Sequence, residues 1–498
     1  MSVEDQHPGP GQRARHDVII IGAGMSGLCM GIQLLRRGIE NFLILEKSDD
    51  VGGTWLDNSY PGAGCDVPSV LYSYSFAPNP EWSQTFSEQD EIQAYFRRCA
   101  ERFGVLPRVR LGTAVSTAEW QRDQGSWELN LENGQRLRAR SVVSALGQLN
   151  RPHVPAFPGQ QKFHGESFHS ARWNHSVDLA GKRVAVIGSA ASALQLIPRI
   201  ADQVAQLYVY QRSANYVIRR GNRAYRGWEK RLFRRIPPLQ RLRRLFVFLC
   251  GELLLYPVLR SDARWLLRLW EKQVKSYRDA EIEDPELRAR LTPDYRIGCK
   301  RILLSDDYYA AFRRANVELV TSPISAIACD GVQSEDNKER PVDVLIYATG
   351  FETSAMHSAV EYRGEGGVTL QRAWTDGAQA YRGMCTHGFP NFFMLYGPNT
   401  NLSSNSIIFM VERQVGYIVD CIDKLLAHNL RSLDINARVE RAYNDELQAR
   451  LGQTVWVGDC ESWYKNAAGR VVNNWPLSAM AYWWHTRRPE FADFDMRA

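Results

Sequence analysis

Hydrophobic and polar positions near the start of the chain alternate between short apolar runs and helical spacing. Residues 18–21 form a β-branched run that predicts a buried parallel strand. A glycine-containing turn follows, and apolar residues at helical spacing then continue through Leu34 and Leu35. A second apolar run, Phe42–Leu45, ends at Glu46. This order of strand, turn, helix and strand predicts a βαβ unit of about thirty residues.

The same order recurs farther along the chain. Residues 184–187 predict a strand, a small-residue turn and an apolar helix follow it, and a second strand over 207–210 ends just before Arg212. The turn positions are Gly22, Gly24 and Gly27 in the first unit, and Gly188, Ser189, Ala190 and Ala193 in the second. Because Ala190 stands where a glycine is usual, we expect its methyl group to press on a bound pyrophosphate or to shift the turn slightly.

Both turns have the spacing of a dinucleotide-binding motif, in which glycines let backbone N–H groups approach a pyrophosphate at a helix N-terminus. Glu46 stands 24 residues after Gly22, where a carboxylate accepts hydrogen bonds from ribose hydroxyls. Arg212 stands 24 residues after Gly188, where a guanidinium attracts a 2′-phosphate. The first motif therefore predicts FAD and the second NADPH. The alternatives are a glycine turn between packed elements and a solvated arginine at a strand end.

Later segments complete the predicted fold. Strands are predicted over 342–347 and 392–396, and the small-residue turn 348–351 is where we expect the chain to cross between the nucleotide-binding domains. A helix with apolar residues at helical spacing begins near Ser406. We expect its N-terminus to face the flavin, where its dipole favours the anionic reduced ring. An ordinary capped core helix is the alternative.

The sequence thus predicts an α/β fold with two Rossmann-like dinucleotide-binding domains, for FAD and NADP, and a helical insertion in the NADP domain. The predicted divisions are a disordered tail over 1–16, an FAD-binding domain over 17–151 and 348–498, an NADP-binding domain over 152–215 and 294–347, and a helical insert over 216–293. Two dinucleotide sites in one chain indicate that hydride passes from a nicotinamide to a bound flavin.

The predicted insert joins a basic run to an apolar one. Eleven basic residues lie between Arg219 and Arg244, against the single acid Glu229. The chain has 61 basic and 55 acidic residues, so the rest of the chain, without this segment, has a net charge of −4. Because the positive charge is confined to one segment, we expect no nucleic-acid partner. The apolar run 245–259 is too short to span a bilayer. It could cap a substrate pocket or contact a membrane surface, but we prefer a buried helix beside a solvated basic segment.

Length and composition indicate a globular protein. The chain has 498 residues, of which 44% are hydrophobic and 23% charged, enough for two or more domains. Its nine cysteines are never closer than 30 positions, so there is no C-x-x-C redox or metal motif, and none of the predicted sites is a metal site. Residues 1–17 lack the apolar core of a secretory signal. We therefore expect a cytoplasmic protein, of an oligomeric state that the sequence does not reveal.

Several further motifs have no role in a generic reductase. They are Gly52-Gly53-Thr54-Trp55, Cys65-Asp66, Phe163-x-Gly165-x-x-x-His169-x-x-x-Trp173, Cys299-Lys300-Arg301 and Ala348-Thr349-Gly350-Phe351. With these motifs the chain resembles the type I Baeyer–Villiger monooxygenases of the flavin-containing monooxygenase superfamily, over nearly its whole length. Asn174 departs from the Pro or Asp that usually follows the tryptophan in that family.

The resemblance implies an enzyme that uses FAD and NADPH to insert one oxygen atom of dioxygen beside the carbonyl of a small-molecule ketone. The product is an ester or lactone, formed through a flavin peroxide. Arg301 matches the family's active-site arginine, which stabilises negatively charged oxygen, and Asp66 matches the carboxylate that holds that arginine. We expect the helical insert, the loop 399–404 and the segment around Trp475 to form the substrate pocket.

The resemblance also assigns residues to the cofactors. Lys300 matches a lysine that grips the 2′-phosphate together with Arg212, while His169 and Trp173 match residues that link the domains and position NADP. Further cofactor-binding positions implied in this way are Gly53, Thr54, Trp55, Asp66, Tyr72, Val115 and Arg301.

Other interpretations remain open at this level. Arg301 and Asp66 could form a structural ion pair, and His169 could be a core histidine. Within the flavin enzymes, the main alternative is a heteroatom oxygenase that forms S- or N-oxides. A flavin disulfide reductase is disfavoured because no paired cysteines follow the first motif. A nucleotide-sensing or membrane-docking protein without catalysis is the non-enzymatic alternative.

Overall fold

The computed structural model describes residues 15–260, 264–352, 357–457, 462, 464–466 and 468–498. Its strands are β1 Arg15–Ile21, β2 Phe42–Leu45, β3 Val109–Arg110, β4 Val115–Gln121, β5 Ser126–Leu131, β6 Arg136–Ser144, β7 Glu166–His169, β8 Arg183–Ile187, β9 Gln206–Tyr210, β10 Val217–Ile218, β11 Leu303–Leu304, β12 Val317–Val320, β13 Ile324–Ala328, β14 Gly331–Ser334, β15 Glu339–Pro341, β16 Val344–Tyr347, β17 Glu361–Arg363, β18 Phe392–Met394, β19 Ser432–Ile435 and β20 Phe494–Arg497. Its α-helices are α1 Met25–Arg37, α2 Thr54–Asp57, α3 Gln89–Arg102, α4 Ala191–Ile200, α5 Gly227–Arg235, α6 Pro237–Cys250, α7 Arg264–Glu281, α8 Pro285–Arg290, α9 Tyr308–Ala311, α10 Leu370–Ala373, α11 Ile407–Ala427, α12 Ala437–Leu451 and α13 Ala479–Thr486.

The first of two large sheets contains the first glycine motif. Strands β3, β2, β1, β6 and β18 pair in parallel in that order, and β4 and β5 extend the sheet in antiparallel fashion beyond β6. The centre of β1 is buried because its β-branched residues pack between α1 on one face and the β4–β5 layer on the other. The carboxyl end of β1 therefore opens directly onto the first glycine turn.

The second sheet is wholly parallel, in the order β12, β9, β8, β16 and β7. It contains the second glycine motif between β8 and α4. Parallel strands with helical crossovers are what the two βαβ patterns predict, and the two sheets correspond to the two predicted dinucleotide-binding domains.

The chain passes between the sheets twice, through segments that lie side by side. The backbone N–H of His153 donates to the Gly350 carbonyl over 2.9 Å, and that of Glu352 donates to the Arg151 carbonyl over 2.9 Å. Residues 151–153 and 350–352 therefore run side by side where the chain passes between the two sheets. At the other end, Arg15 and His16 were assigned to the tail but pair with β6 as part of β1, whereas residues 1–14 lie outside the described range.

The insert is helical, as predicted, and consists mainly of α5 to α8 between the paired strands β10 and β11. The preferred interpretation of its apolar run as a buried helix is correct only in part. Phe248 and Val258 are buried, but Leu245, Phe246 and Leu253 point into solvent, the last with 68% of its surface exposed. The inward face of α6 combines Phe248 with the buried polar residue Gln240. None of the described helices combines the length and apolar character needed to cross a bilayer.

Candidate active site

The first glycine turn forms a backbone cradle. Gly22 has φ +105°, which glycine adopts without strain, and a Cβ on Gly27 would lie 1.9 Å from the Gly22 carbonyl oxygen. Gly24 and Gly53 face each other, because a Cβ on Gly53 would lie 2.9 Å from the Gly24 Cα. The loop after β1 and the loop before α2 thus touch through their backbones at the N-terminus of α1, where a pyrophosphate would bind.

Glu46 is held beside this cradle. One carboxylate oxygen accepts the backbone N–H of Ala23 over 2.7 Å and the other accepts that of Ser48 over 3.0 Å. The Glu46 carbonyl accepts the N–H of Thr113, two residues before Val115 at the buried start of β4. The structure therefore places Glu46 and the predicted cofactor-binding position Val115 close to each other beside the carboxyl end of β2.

The segment after Gly53 reaches over the start of α1. The indole Nε1 of Trp55 donates to the Tyr72 hydroxyl over 3.1 Å, and the two rings meet edge to face at 5.6 Å. The Tyr72 hydroxyl in turn lies 3.6 Å from the Met25 sulfur at the beginning of α1. Thr54, the first residue of α2, is exposed. Gly53, Thr54, Trp55 and Tyr72 therefore line one continuous wall beside the cradle.

The backbone of the second glycine turn also lies very close to a neighbouring segment of the chain. A Cβ on Gly188, whose φ is +113°, would lie 2.4 Å from the Ala348 carbonyl oxygen. Ser189 is buried, and its carbonyl accepts Asn215 Nδ2 over 2.9 Å. Ala190 precedes α4 with an extended backbone, φ −84°, so alanine introduces no backbone strain there. Ala193 is fully buried in the helix–sheet contact.

Two cations meet at the end of β9. Arg212 is exposed just beyond the strand. The Lys300 ammonium donates to the Ser213 hydroxyl over 3.1 Å and lies 4.5 Å from the centre of the Tyr295 ring. The Lys300 ammonium therefore contacts the residue that follows Arg212, near the place where a 2′-phosphate at this motif would lie.

Arg301 and Asp66 form an ion pair across the two domains. Arg301 Nη2 lies 2.6 Å from Asp66 Oδ1, and this carboxylate raises the pKa of Arg301 despite the opposing effect of burial. The neighbouring Cys65 and Tyr464 are buried, yet 46% of the Arg301 side chain is accessible. Arg301 therefore faces an open space inside the protein, with a charge that is available to a bound group.

Two tyrosines near Arg301 were not identified from the sequence. Burial raises the pKa of both Tyr396 and Tyr464, and the Arg301 charge acts against that rise. Tyr396 has φ +57°, unusual for a residue other than glycine, and its hydroxyl donates to Asn401 Oδ1 over 2.7 Å. The sequence offers no signal for either, since Tyr396 ends a predicted strand that in the structure stops at Met394, and Tyr464 belongs to no motif.

His169 lies where the chain crosses between the domains. It ends β7, its ring meets Phe351 at 5.8 Å, and its Nδ1 accepts the N–H of Ala171 over 3.1 Å. Burial lowers the pKa of His169 to about 4, so the ring is neutral near pH 7. Trp173 packs edge to face on Phe168 at 5.1 Å. Both residues belong to the NADP-domain side of the crossing.

Neighbours of these two residues connect the domains directly. Arg172 forms a 3.2 Å ion pair with Asp57 at the end of α2, and Ser59 Oγ lies 2.8 Å from His175 Nε2. A second connection, missed from sequence, is made by Gln195 of α4. Its Oε1 accepts the Tyr60 hydroxyl over 2.8 Å and its Nε2 donates to the Gly64 carbonyl over 2.9 Å.

The predicted pocket-forming segments also meet. The backbone N–H of Trp475 donates to the Asn401 carbonyl over 3.0 Å, and Asn405 Nδ2 donates to the Phe248 carbonyl of the insert over 3.2 Å. Ser406 caps α11, accepting the N–H of Ile408 over 3.3 Å. The N-terminus of α11 thus lies in a buried loop between the insert and the C-terminal segment.

These observations fit FAD at the first cradle and NADPH at the second. The glycines of both turns carry no side chain that would block a pyrophosphate at the following helix N-terminus. The Glu46 carboxylate lies at the ribose position of the first motif, and the cationic residues Arg212 and Lys300 lie at the corresponding position of the second. Among the described residues, no group of three or more histidine, cysteine or acidic side chains could hold a metal ion.

Comparison with known proteins agrees with this geometry. Residues 15–358 match the family described as flavin-binding monooxygenase-like. A Baeyer–Villiger monooxygenase of Streptomyces coelicolor is 43% identical over 481 residues, which cover 96% of this chain and 92% of that protein. The chain belongs to the Baeyer–Villiger monooxygenases. A second member of the group, from Pseudomonas aeruginosa, is 42% identical over 468 residues, covering 93% of this chain and 88% of that protein.

Solved structures of Baeyer–Villiger monooxygenases show the same fold. An oxidized steroid monooxygenase bound to NADP superposes with a TM-score of 0.86 at 30% identity, covering 97% of this chain and all of the other. Cyclohexanone monooxygenase from Rhodococcus sp. Phi1, bound to NADP⁺, gives 0.87 at 27% identity over 98% of this chain and all of the other. The predicted α/β fold with FAD and NADP domains is thereby confirmed, and so are the two cofactors.

Proposed function

We propose that this Baeyer–Villiger monooxygenase converts a small-molecule ketone into an ester or lactone. One ketone, one O₂, one NADPH and one proton give the ester, water and NADP⁺. When bound, FAD supplies the activated oxygen and NADPH the two electrons. The observation that supports this function best is the accessible Arg301 charge, fixed by Asp66 inside the protein between the two cofactor motifs.

Arg301 has the chemistry to stabilise the negative oxygen that develops during insertion. A guanidinium keeps its charge at any working pH and therefore does not protonate an oxygen anion before it reacts. The 2.6 Å contact with Asp66 restricts the guanidinium to one orientation, and charge fixed in advance costs no reorganisation when the reaction occurs. Asp66 acts through Arg301 and is a positioning residue in this proposal.

Arg212 and Lys300 select NADPH over NADH. The Lys300–Ser213 hydrogen bond holds the ammonium at the end of β9, beside the exposed Arg212 guanidinium. Two cations at this place favour a ligand with a dianionic phosphate over one with a hydroxyl. His169 stays neutral and supports the crossing segment rather than exchanging a proton in the reaction.

The ketone would lie next to Arg301, in the space bounded by the insert, the loop 399–404 and Trp475. Their mutual contacts, Trp475 to Asn401 and Asn405 to Phe248, support one continuous wall. Tyr396 connects this wall to Arg301 through its hydrogen bond to Asn401. Substrate differences within the group would then follow from residues of these three segments.

The test is aerobic incubation of the purified yellow protein with NADPH and a panel of cyclic, linear, aromatic and steroid ketones plus one thioether. Products are analysed by mass spectrometry. A ketone that gains one oxygen as an ester or lactone supports the proposal and identifies the substrate class. Sulfoxide as the only product would overturn it in favour of heteroatom oxygenation.

A further inference from the structure

Helix α6 leaves most of its leucines and Phe246 exposed although it packs on the protein. Its exposed face carries Leu242, Leu245, Phe246 and Leu249, which follow the three- and four-residue spacing of one helix side. Leu253 continues the same side beyond the helix end. The five side chains are between 41% and 68% exposed, so a continuous apolar side of the helix faces solvent.

The opposite side of α6 is anchored to the protein by two polar side chains, together with the buried Phe248 and the partly buried Val247. Gln240 is buried and its Nε2 donates to the Asn79 carbonyl over 2.6 Å. Arg244 Nη1 donates to the Val70 and Ser73 carbonyls over 3.0 and 2.8 Å. These hydrogen bonds fix the rotation of the helix, so the leucines cannot turn inward without leaving buried polar groups unpaired.

Further exposed apolar residues surround this helix. Trp228 on α5, Ile236 between α5 and α6, and Leu254 after α6 are each about half exposed. Trp265 and Leu269 are exposed at the start of α7, which contacts the turn Tyr256–Leu259. Large apolar side chains gathered on one element of a protein surface mark a binding site rather than ordinary surface composition.

Positive charge borders the apolar stripe on both sides. Arg241 and Arg243 precede and follow Leu242, so they lie about 100° to either side of it on the helix. Arg235 stands just before α6, and none of the described acidic side chains forms an ion pair with these three arginines. Between Glu229 and Asp262 the only acid is Glu252, which is buried. The described part of the segment after Glu229 therefore presents these arginines without an exposed carboxylate of its own, and the exposed Glu81 pairs with Arg234 instead.

We propose that α6, with Trp228, Ile236 and Leu253, is a docking surface for an anionic lipid bilayer. A leucine and phenylalanine stripe between arginines is the pattern of a helix that lies in the plane of a membrane surface, with its apolar side in the acyl boundary and its cations at the phosphates. Exposed tryptophan is favoured at the same depth. The inner face of this segment contacts Asn405, so docking places the candidate active site next to the bilayer.

Sedimentation of the FAD-loaded protein with vesicles tests the proposal without reference to ketone oxidation. Vesicles containing phosphatidylglycerol are compared with vesicles of phosphatidylcholine alone. The wild-type protein is expected to bind the anionic vesicles more tightly, and this binding is expected to weaken with added salt. Equal absence of binding to both vesicle types would overturn the proposal.

Variants separate the two parts of the surface. Leu245→Ser with Leu249→Ser is expected to weaken binding at least about tenfold, because two buried leucines each contribute more than 1 kcal/mol. Arg235→Gln with Arg241→Gln and Arg243→Gln is expected to weaken binding to anionic vesicles about fivefold or more per charge, and to remove most of its salt dependence. The matched control is Leu111→Ser with Met496→Ser, exposed apolar residues away from the insert, which should leave binding unchanged.

Two further measurements keep the result interpretable. Flavin absorbance and Tm of each variant report whether it is folded, and Trp265→Phe is expected to remove part of the fluorescence shift that vesicles cause in the wild-type protein. Sedimentation velocity without lipid examines the competing occupant, a second copy of this chain. A dimer that Leu245→Ser with Leu249→Ser dissociates, together with no vesicle binding, would contradict the proposal.

Discussion

Arg301 of the NADP-domain side and Asp66 of the FAD-domain side lie 2.6 Å apart although 235 positions separate them in the sequence. Their contact depends on the relative placement of the two sheets, which the Gln195 and Arg172 connections fix. The Arg301 side chain nevertheless keeps 46% of its surface accessible to a bound group. A change at either residue should consequently affect oxygen insertion more than flavin binding.

Arg301→Ala is expected to lower ester formation by at least about a hundredfold, because loss of one preorganised charged donor costs about 3 kcal/mol or more in a transition state. Reduction of the flavin by NADPH should continue, with NADPH consumption ending in hydrogen peroxide. Product analysis and anaerobic stopped-flow reduction measure the two steps separately. Arg136→Ala, which removes an exposed arginine paired with Glu128, is the control. Normal ester yield in Arg301→Ala would contradict the assigned role.

Arg212→Ala and Lys300→Ala are each expected to raise the KM for NADPH about tenfold or more, since a hydrogen bond to a charged group contributes about 1.5–3 kcal/mol. The KM for NADH should change little, because NADH lacks the 2′-phosphate. Steady-state kinetics with both coenzymes give the comparison. A proportional increase for both would remove the 2′-phosphate assignment.

Two glycines of the first motif should respond differently to alanine. A Cβ on Gly24 would lie 3.5 Å from the Gly53 Cα, an ordinary contact, whereas on Gly27 it would lie 1.9 Å from the Gly22 carbonyl oxygen. Gly24→Ala should therefore keep the stability of the flavin-free protein but bind FAD more weakly. Gly27→Ala should lose at least about 2 kcal/mol of folding free energy. Flavin content and urea unfolding after FAD removal measure both, and equal behaviour of the two variants would argue against the cradle.

Glu440, at the start of α12, predicts a pH-dependent stability. Burial raises the pKa of this carboxyl to about 7, and its Oε2 accepts the His387 N–H over 2.9 Å. Because the folded protein binds the proton more tightly than the unfolded chain, this group stabilises the fold below its ordinary pKa of 4.5, and that stability is lost as the pH rises through about 7.

Glu440→Gln mimics the protonated carboxyl and is expected to be more stable than the wild-type protein at pH 8, by about 2–3 kcal/mol, with little difference at pH 4.5. Urea unfolding across this pH range measures the gap. Glu446→Gln, an exposed position on the same helix, is the control. A constant gap at all pH values would show that Glu440 is ionised throughout.

The sequence was sufficient for the parts of the fold that depend on local patterns. The glycine turns, their strands and the residues 24 positions later all lie where a βαβ unit puts them, because each is determined by short-range spacing. The crossing at 348–351 was also predictable from its small residues. The structure shows the close packing there, because the Ala348 backbone approaches Gly188 so closely that a side chain on Gly188 would not fit.

What the sequence could not supply depends on long-range packing. Gln195 connects the domains and Tyr396 contacts the Arg301 region only because distant segments meet there. The exposed leucines of α6 could not be predicted for a related reason. They have the periodicity of a core helix, and the hydrogen bonds of Gln240 and Arg244 to loop carbonyls, with the packing of Phe248, determine which side faces inward.

The most direct test of the account is a reaction under ¹⁸O₂ with NADPH and the best ketone from the panel, followed by mass spectrometry of the ester. One ¹⁸O atom is expected in each ester molecule, at the position between the former carbonyl carbon and its neighbour, together with a strong decrease of this product in Arg301→Ala. An ester without ¹⁸O, or labelled product that persists undiminished in Arg301→Ala, would contradict it.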